Sequence, residues 1–237
     1  MTEFQIGVIK PIECFREGWE IIKSDYWTFF VISLLGGFIG GVSFYILIGA
    51  MLCGIYYCFL RKIDGYPASF DNLWKGFDYF TPSLLVTILI VVPMIIIFGV
   101  VYTPLILAAV MGNRLSPDEL TGLFLGAIAV DIVLAFVVTC FHTLLLFAFP
   151  LIVDRNLTAR QAIVTSAKAV WRNLGGVVGL IAVGLVLSLF GIITCGIGMY
   201  FIMPILMAGY AVAYRKIFPA ATGGNFNPPP PNFYQKF

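Results

Sequence analysis

Long apolar runs separated by short charged ones set the rhythm of this chain. Four stretches are nearly free of charge: Tyr26 to Leu60, Tyr79 to Asn113, Leu120 to Val153 with only Asp131 in its midst, and Asn173 to Tyr214. Crossing the hydrocarbon core of a bilayer takes about 20 apolar residues at about 1.5 Å each. The first stretch holds 35 residues and the last 42, and with glycine-rich middles each is read as a helical hairpin. In the first, Gly36, Gly37, Gly40 and Gly41 followed by Ser43 predict the turn; in the last, Gly191, Thr194, Cys195, Gly196 and Gly198 do so. The second and third stretches are separated by Arg114 to Glu119, with the turn signal Ser116-Pro117-Asp118, and each is read as one long helix. Pro82, Pro93 and Pro104 recur in the second, predicting kinks on one face, since interior proline removes a backbone bond and clashes one turn back. The pattern thus predicts an all-α integral membrane protein with six spans, approximately 26–42, 44–60, 80–110, 121–150, 174–193 and 197–214, in a domain over 1–218.

Each pair of spans is preceded by a short amphipathic helix. From Pro11 to Asp25, Ile12, Phe15, Trp19 and Ile22 share one face, opposite Glu13, Arg16, Glu17, Glu20 and Lys23. Pro11 suits a first helical position. Ahead of the third span, Phe70, Leu73, Trp74 and Phe77 alternate with Asp71, Asn72, Lys75 and Asp78 behind Ser69 as a candidate cap. Ahead of the fifth, Thr158-x-x-Gln161 has the form of a capping box. The helix it opens sets Ile163, Val164, Ala167, Val170 and Trp171 against Arg160, Gln161, Thr165, Lys168 and Arg172. Trp19, Trp74 and Trp171 fall where an amphipathic ring belongs at headgroup depth, so these helices are expected to lie in the cytoplasmic interface. The first and third hairpins end alike, in Leu60-Arg61-Lys62-Ile63 and Tyr214-Arg215-Lys216-Ile217, with Gly54 and Gly209 shortly before. A threefold parallel repeat of interfacial helix plus hairpin is the organisation expected. Gly36xxxGly40, Gly37xxxGly41 and Gly175xxxGly179 mark candidate close helix contacts.

Composition agrees with the pattern: 60% of residues are apolar and 11% charged, against about a quarter charged in soluble domains. Charge then fixes orientation. With the N-terminus inside, thirteen of the fourteen lysines and arginines are cytoplasmic and only Arg114 lies outside, which satisfies the positive-inside rule. A single span over Tyr26 to Leu60 would move Arg61, Lys62 and Lys75 to the outside and is rejected. Both chain ends are therefore placed in the cytoplasm. A net charge of +2 implies no nucleic-acid surface. Met1 to Asp25 does not show the basic, apolar and small-residue order of a cleaved signal peptide. The five cysteines are scattered without a CxxC pair, so neither a disulfide framework nor a metal site is expected.

Candidate chemistry is sparse. An ionisable group inside the bilayer is costly and points to function, which singles out Asp131; eleven residues on, on nearly the same helix face, lies His142, the sole histidine. The two could line a proton path or polar cavity, or Asp131 could pair with Arg114 or water while His142 bonds a neighbouring helix. No Gly-x-Ser-x-Gly, His-Glu-x-x-His or phosphate loop occurs, and Asp64-Gly65 is a turn rather than a phospholipid-synthase motif. The chain is read as non-enzymatic, with no cofactor. Residues 219–237, with Gly223-Gly224 and Pro228 to Pro231, have the composition of a flexible polyproline II tail.

Gly18-Trp19-Glu20 with Asp25-Tyr26-Trp27, Leu60-Arg61-Lys62 with Asp64-Gly65, Phe149 to Asp154, Asn173-Leu174-Gly175, and Pro204 with Ala213-Tyr214-Arg215 resemble a group of uncharacterised bacterial multi-pass membrane proteins. That group is loosely related to the membrane-anchor domain of some glycerophosphodiester phosphodiesterases. The catalytic barrel of those enzymes has no counterpart here, so the resemblance implies a bacterial inner-membrane address and no activity. Two functions are expected to compete. One is a scaffold or accessory subunit whose cytoplasmic face, through Trp19, Lys23, Trp74, Lys75, Arg160, Lys168, Trp171 and Arg172, binds anionic lipid headgroups, a protein partner or a second copy. The other is a small carrier or channel, for a lipophilic substrate if so few intramembrane polar groups serve it.

Overall fold

A computed structural model describes residues 4–110, 116–194 and 196–220. The described residues are helical throughout, without strands: α1 (Pro11–Ile22), α2 (Tyr26–Val42), α3 (Ile48–Ile63), a 3₁₀ segment Phe70–Tyr79, α4 (Phe80–Val110), α5 (Pro117–Leu144), α6 (Ala148–Arg155), α7 (Ala159–Arg172), α8 (Leu174–Ile193) and α9 (Ile197–Ile217). They divide into two compact units, Met1–Thr87 with Leu144–Phe237, and Ile88–Thr143. Five helical stretches are long and apolar enough to cross a membrane: Pro11–Val42, Phe70–Thr103, Asp118–Arg155, Leu174–Gly191 and Ile197–Ile217. These are the properties of a multi-pass membrane protein. α3, which covers most of the predicted span 44–60, is not among the five. Its 16 residues rise about 24 Å against a hydrocarbon layer of about 30 Å, and most of its side chains are buried by protein.

Local signals explain several boundaries. Pro11 occupies the first turn of α1, and α7 opens with the complete Thr158–Gln161 capping box. Gly196, with φ +83°, supplies the left-handed residue that turns α8 into α9; Cys195 lies outside the described residues. α4 continues through Pro82, Pro93 and Pro104. Ser69 stands at the start of the 3₁₀ segment, but its side chain makes no cap bond.

The first turn is not built as the glycines suggest. Gly36, Gly37, Gly40 and Gly41 all lie within α2, and the chain reverses after them, with Phe44 and Tyr45 in the left-handed region at φ +50° and +66°. Two of the glycines serve packing instead. A Cβ at Gly36 would stand 2.8 Å from Ile55 Cδ1, and one at Gly40 would overlap Ile48, so the small-residue spacing lets α2 and α3 close on each other. On α8 the working pair is Gly176 and Gly179, which receive Ile9 and Pro11 at the start of α1, while Gly175 has nothing near it.

The third apolar stretch is two helices, not one. Pro150 has no N–H for the carbonyl one turn back, and α5 gives way at Leu145–Phe147 before α6 begins. Ser166 of α7 takes up the freed backbone groups. Its Oγ accepts the Phe147 N–H at 3.1 Å and donates to the Leu144 carbonyl at 2.7 Å. Ser166→Ala would orphan both in a fully buried position; the expected cost is about 1–3 kcal/mol, read as a lower unfolding midpoint in mild detergent. A midpoint unchanged from the parent would refute this account of the break.

The three amphipathic segments share one relation. The 3₁₀ segment packs on α3, α7 on α6, and α1 on α9. Each thus lies against the helix that closes the preceding apolar stretch, and α1, which has no predecessor, lies against the last. Glycines make these contacts possible: a Cβ on Gly54 of α3 would overlap the Leu73 carbonyl, and one on Gly209 of α9 would overlap the Phe15 ring. The packing therefore joins the 3₁₀ segment and α7 each to the helix before it, and α1 to the last helix.

Candidate functional site

Sequence assigns Asp64, Asp154 and Arg215 to three separate loops or helix ends, yet the ends of α3, α6 and α9 meet. Asp64 caps α3, its N–H reaching the carbonyl of Leu60, and Gly65 at φ +90° turns the chain away. Arg215, in the last turn of α9, donates through Nη2 to Asp64 Oδ2 at 2.7 Å and through Nη1 to Asp154 Oδ1 at 3.0 Å. The other oxygen of Asp154 accepts the Tyr214 hydroxyl at 2.7 Å and Arg155 Nε at 3.0 Å. Arg155 continues to the Pro219 carbonyl. Side-chain exposures of 7%, 5% and 11% for Asp64, Asp154 and Arg215 put the cluster inside the protein. Two carboxylates face two guanidiniums and one phenol, so charge is balanced, while Arg215 Nε is buried with no hydrogen-bond partner among the described residues. Burial pushes the Asp64 carboxyl up to about 6; Arg215 pulls it down and Asp154 adds to the rise.

Two further ion pairs tie α1 and the turn that follows it to the same end of the unit: Lys216 to Glu17 at 2.8 Å, and Lys62 to Asp25. Arg61 lies over the Tyr66 ring, 4.3 Å from its centroid. Asn173, also buried, fastens the N-terminal strand of chain to the α7–α8 junction. Its Nδ2 donates to the carbonyls of Gln5 and Ala169, at 3.1 and 2.9 Å, and its Oδ1 accepts the Gly7 N–H at 2.7 Å.

The structure distributes the predicted contact residues on exposed faces. Trp19, Trp74 and Trp171 are 39%, 45% and 71% exposed. In each amphipathic segment the side turned to the protein is offset from the apolar face read in the sequence. α1 buries Cys14, Phe15, Gly18 and Ile22 while Ile12 stays exposed; α7 buries Ala159, Ala162, Ser166, Ala169 and Val170 while Val164 and Trp171 stay exposed. In the 3₁₀ segment side chains three apart eclipse, which aligns Leu73 with Gly76 against α3 and stacks Trp74 on Phe77, 6.2 Å between centroids. Lys23 pairs with Glu20 and Lys75 with Asp78. Arg160, Lys168 and Arg172 are exposed.

In the unit Ile88–Thr143, Asp131 accepts a hydrogen bond from the Tyr102 hydroxyl at 3.2 Å. Tyr102 is a partner that the sequence did not suggest; Arg114 lies outside the described residues. His142 Nε2 is buried and, among the described residues, has no hydrogen-bond partner. No group of three or more His, Cys, Asp or Glu side chains that could hold a metal occurs among the described residues. The Pro/Gly-rich tail lies beyond the described residues from 221 onward.

No family model, curated protein or solved structure matches the chain.

Proposed function

We propose that this chain is a non-enzymatic protein of the bacterial cytoplasmic membrane, a scaffold or accessory subunit whose basic cytoplasmic face binds lipid or a protein partner. Six crossings with both ends inside follow from the charge distribution, with α3 completing the first hairpin where the bilayer meets protein rather than lipid on most of its surface. The bacterial address rests on the resemblance of the segments around Trp19, Arg61, Asp154, Asn173 and Arg215.

The observation that carries this reading is the closed ion cluster of Asp64, Asp154, Tyr214 and Arg215. The buried charged groups at these helix ends bond to each other, fixing three helix ends, and among the described residues do not converge on a space where a substrate could react. The exposed tryptophans, and the cations of α7, which hold no ion pair among the described residues, remain for contact. Affinity purification from membranes in mild detergent, with crosslinking before extraction, tests it. A stoichiometric membrane partner or a defined homo-oligomer is expected; a lone monomer that conducts solute after reconstitution would overturn the reading.

Asp131 with Tyr102, and His142 on the same helix with its Nε2 unbonded among the described residues, favour a second reading as a carrier. Asp131→Asn separates the two. A scaffold keeps its assembly and its phenotype, whereas a carrier loses transport.

A further inference from the structure

The three interfacial segments differ in charge. α1 carries one arginine and three glutamates, net −2; the 3₁₀ segment carries one lysine and two aspartates, net −1; α7 carries Arg160, Lys168 and Arg172 and no acid, net +3. The excess continues past the helix, for no aspartate or glutamate occurs anywhere after Asp154. Lys23 and Lys75 already hold carboxylates, while Arg160, Lys168 and Arg172 have no ion-pair partner among the described residues.

Lys168 and Arg172, one turn apart on one face, border an open groove of about 530 Å³ whose other walls are Phe4, Leu144, Ala167 and Trp171. Phe4 is held there by its neighbour: the Gln5 N–H reaches the Ile217 carbonyl at 2.9 Å and the Gln5 carbonyl accepts from Asn173. The groove therefore offers two free cations at one side and an apolar floor with an exposed indole at the other. That pairing matches an amphiphile with an anionic head.

We propose that this groove on α7 is a binding site for an anionic phospholipid of the cytoplasmic leaflet, its phosphate held by Lys168 and Arg172 and its glycerol and upper acyl carbons laid against Trp171, Phe4 and Leu144. The inference rests on the basic-face reading above and narrows it to one helix. Two juxtamembrane cations favour an anionic headgroup by about 1 kcal/mol each, which corresponds to about 30-fold in affinity for the pair.

The test is native mass spectrometry of the full-length chain in mild detergent, titrated with phosphatidylglycerol or with phosphatidylcholine of the same acyl chains. The parent is expected to retain phosphatidylglycerol in preference, Lys168→Gln/Arg172→Gln to lose about 30-fold, and Lys10→Gln, whose cation already faces Glu13, to lose less than about 2-fold. Unfolding midpoints equal to the parent show that the exposed substitutions leave the fold intact. A double variant that keeps the preference overturns the groove while leaving the basic face standing; a parent without any preference overturns both. Displacement of the lipid by millimolar inorganic phosphate would assign the site to a free anion instead.

Discussion

Arg215→Met is expected to destabilise the larger unit by about 3–5 kcal/mol, the usual consequence of removing one partner from a buried charge pair. The substitution keeps the length and apolar stem of the side chain and removes the fork that reaches Asp64 at 2.7 Å and Asp154 at 3.0 Å. Asp64 would then be a buried carboxylate with no cation against it, and Asp154 would keep only Arg155 and the Tyr214 hydroxyl. Arg215→Lys should rescue only part of the loss, because one ammonium cannot hold two carboxylates in the planar geometry of a guanidinium. The check is the apparent unfolding midpoint in detergent. A drop confined to a degree or two would mean that the cluster is not what fixes the three helix ends.

The same cluster imposes a pH dependence whose sign is set by Asp64. Its carboxyl ordinarily titrates at 3.8 and is pushed up to about 6 by burial. A carboxyl raised on folding binds its proton more tightly in the folded state, so it lowers stability as pH rises from about 4 to about 6. Asp64→Asn should flatten the stability profile across that window, and an unaltered slope would count against the burial of this group.

Gly54→Ala and Gly76→Ala are expected to prevent folding or to cost more than about 4 kcal/mol each, at the exceptional end of single-substitution effects. A Cβ at Gly54 overlaps the Leu73 carbonyl, and one at Gly76 overlaps the Ala50 carbonyl and stands 2.6 Å from the Gly54 nitrogen. The obstacle in both cases is backbone, which cannot rotate aside as a side chain can. Gly126→Ala, where nothing lies within 4 Å, should be neutral or slightly stabilising by helix propensity. Yields of folded protein after detergent extraction separate these outcomes, and equal yields for all three would contradict the packing of the 3₁₀ segment on α3.

What the sequence made legible was local. The start of α1 at Pro11, the capping box at Thr158 and the turn at Gly196 each depend on a few adjacent residues. The apolar stretches announce themselves because a bilayer demands length. Misreadings arose where a residue had two uses. Gly36 and Gly40 fit a turn and a close helix contact equally well, and only the position of Ile48 and Ile55 across the hairpin decides for the contact. Ile12, Val164 and Trp171 fit an apolar face, but hydropathy does not distinguish a face turned to protein from one left exposed. The break before α6 needed Ser166, twenty-two residues from the carbonyl it satisfies. The ion cluster was the least legible part, since Asp64, Asp154 and Arg215 each read as an ordinary charge at the end of a span. One signal did exist: two acids placed right at the basic ends of apolar runs, where the rest of the pattern is cationic.

If α3 completes the first hairpin of a six-span protein with its ends inside, as proposed, the ion cluster and the α7 groove lie on the cytoplasmic side. Single cysteines at Pro67, just beyond Asp64, at Arg160 on α7 and at Ile46 in the turn between α2 and α3 test it, labelled with a membrane-impermeant maleimide in spheroplasts and in inside-out vesicles, with the unsubstituted chain as baseline. Labelling is expected at Pro67→Cys and Arg160→Cys in inside-out vesicles alone, and at Ile46→Cys in spheroplasts alone. Labelling of Ile46→Cys from the same side as Pro67→Cys would show that α3 does not cross the membrane and would contradict it.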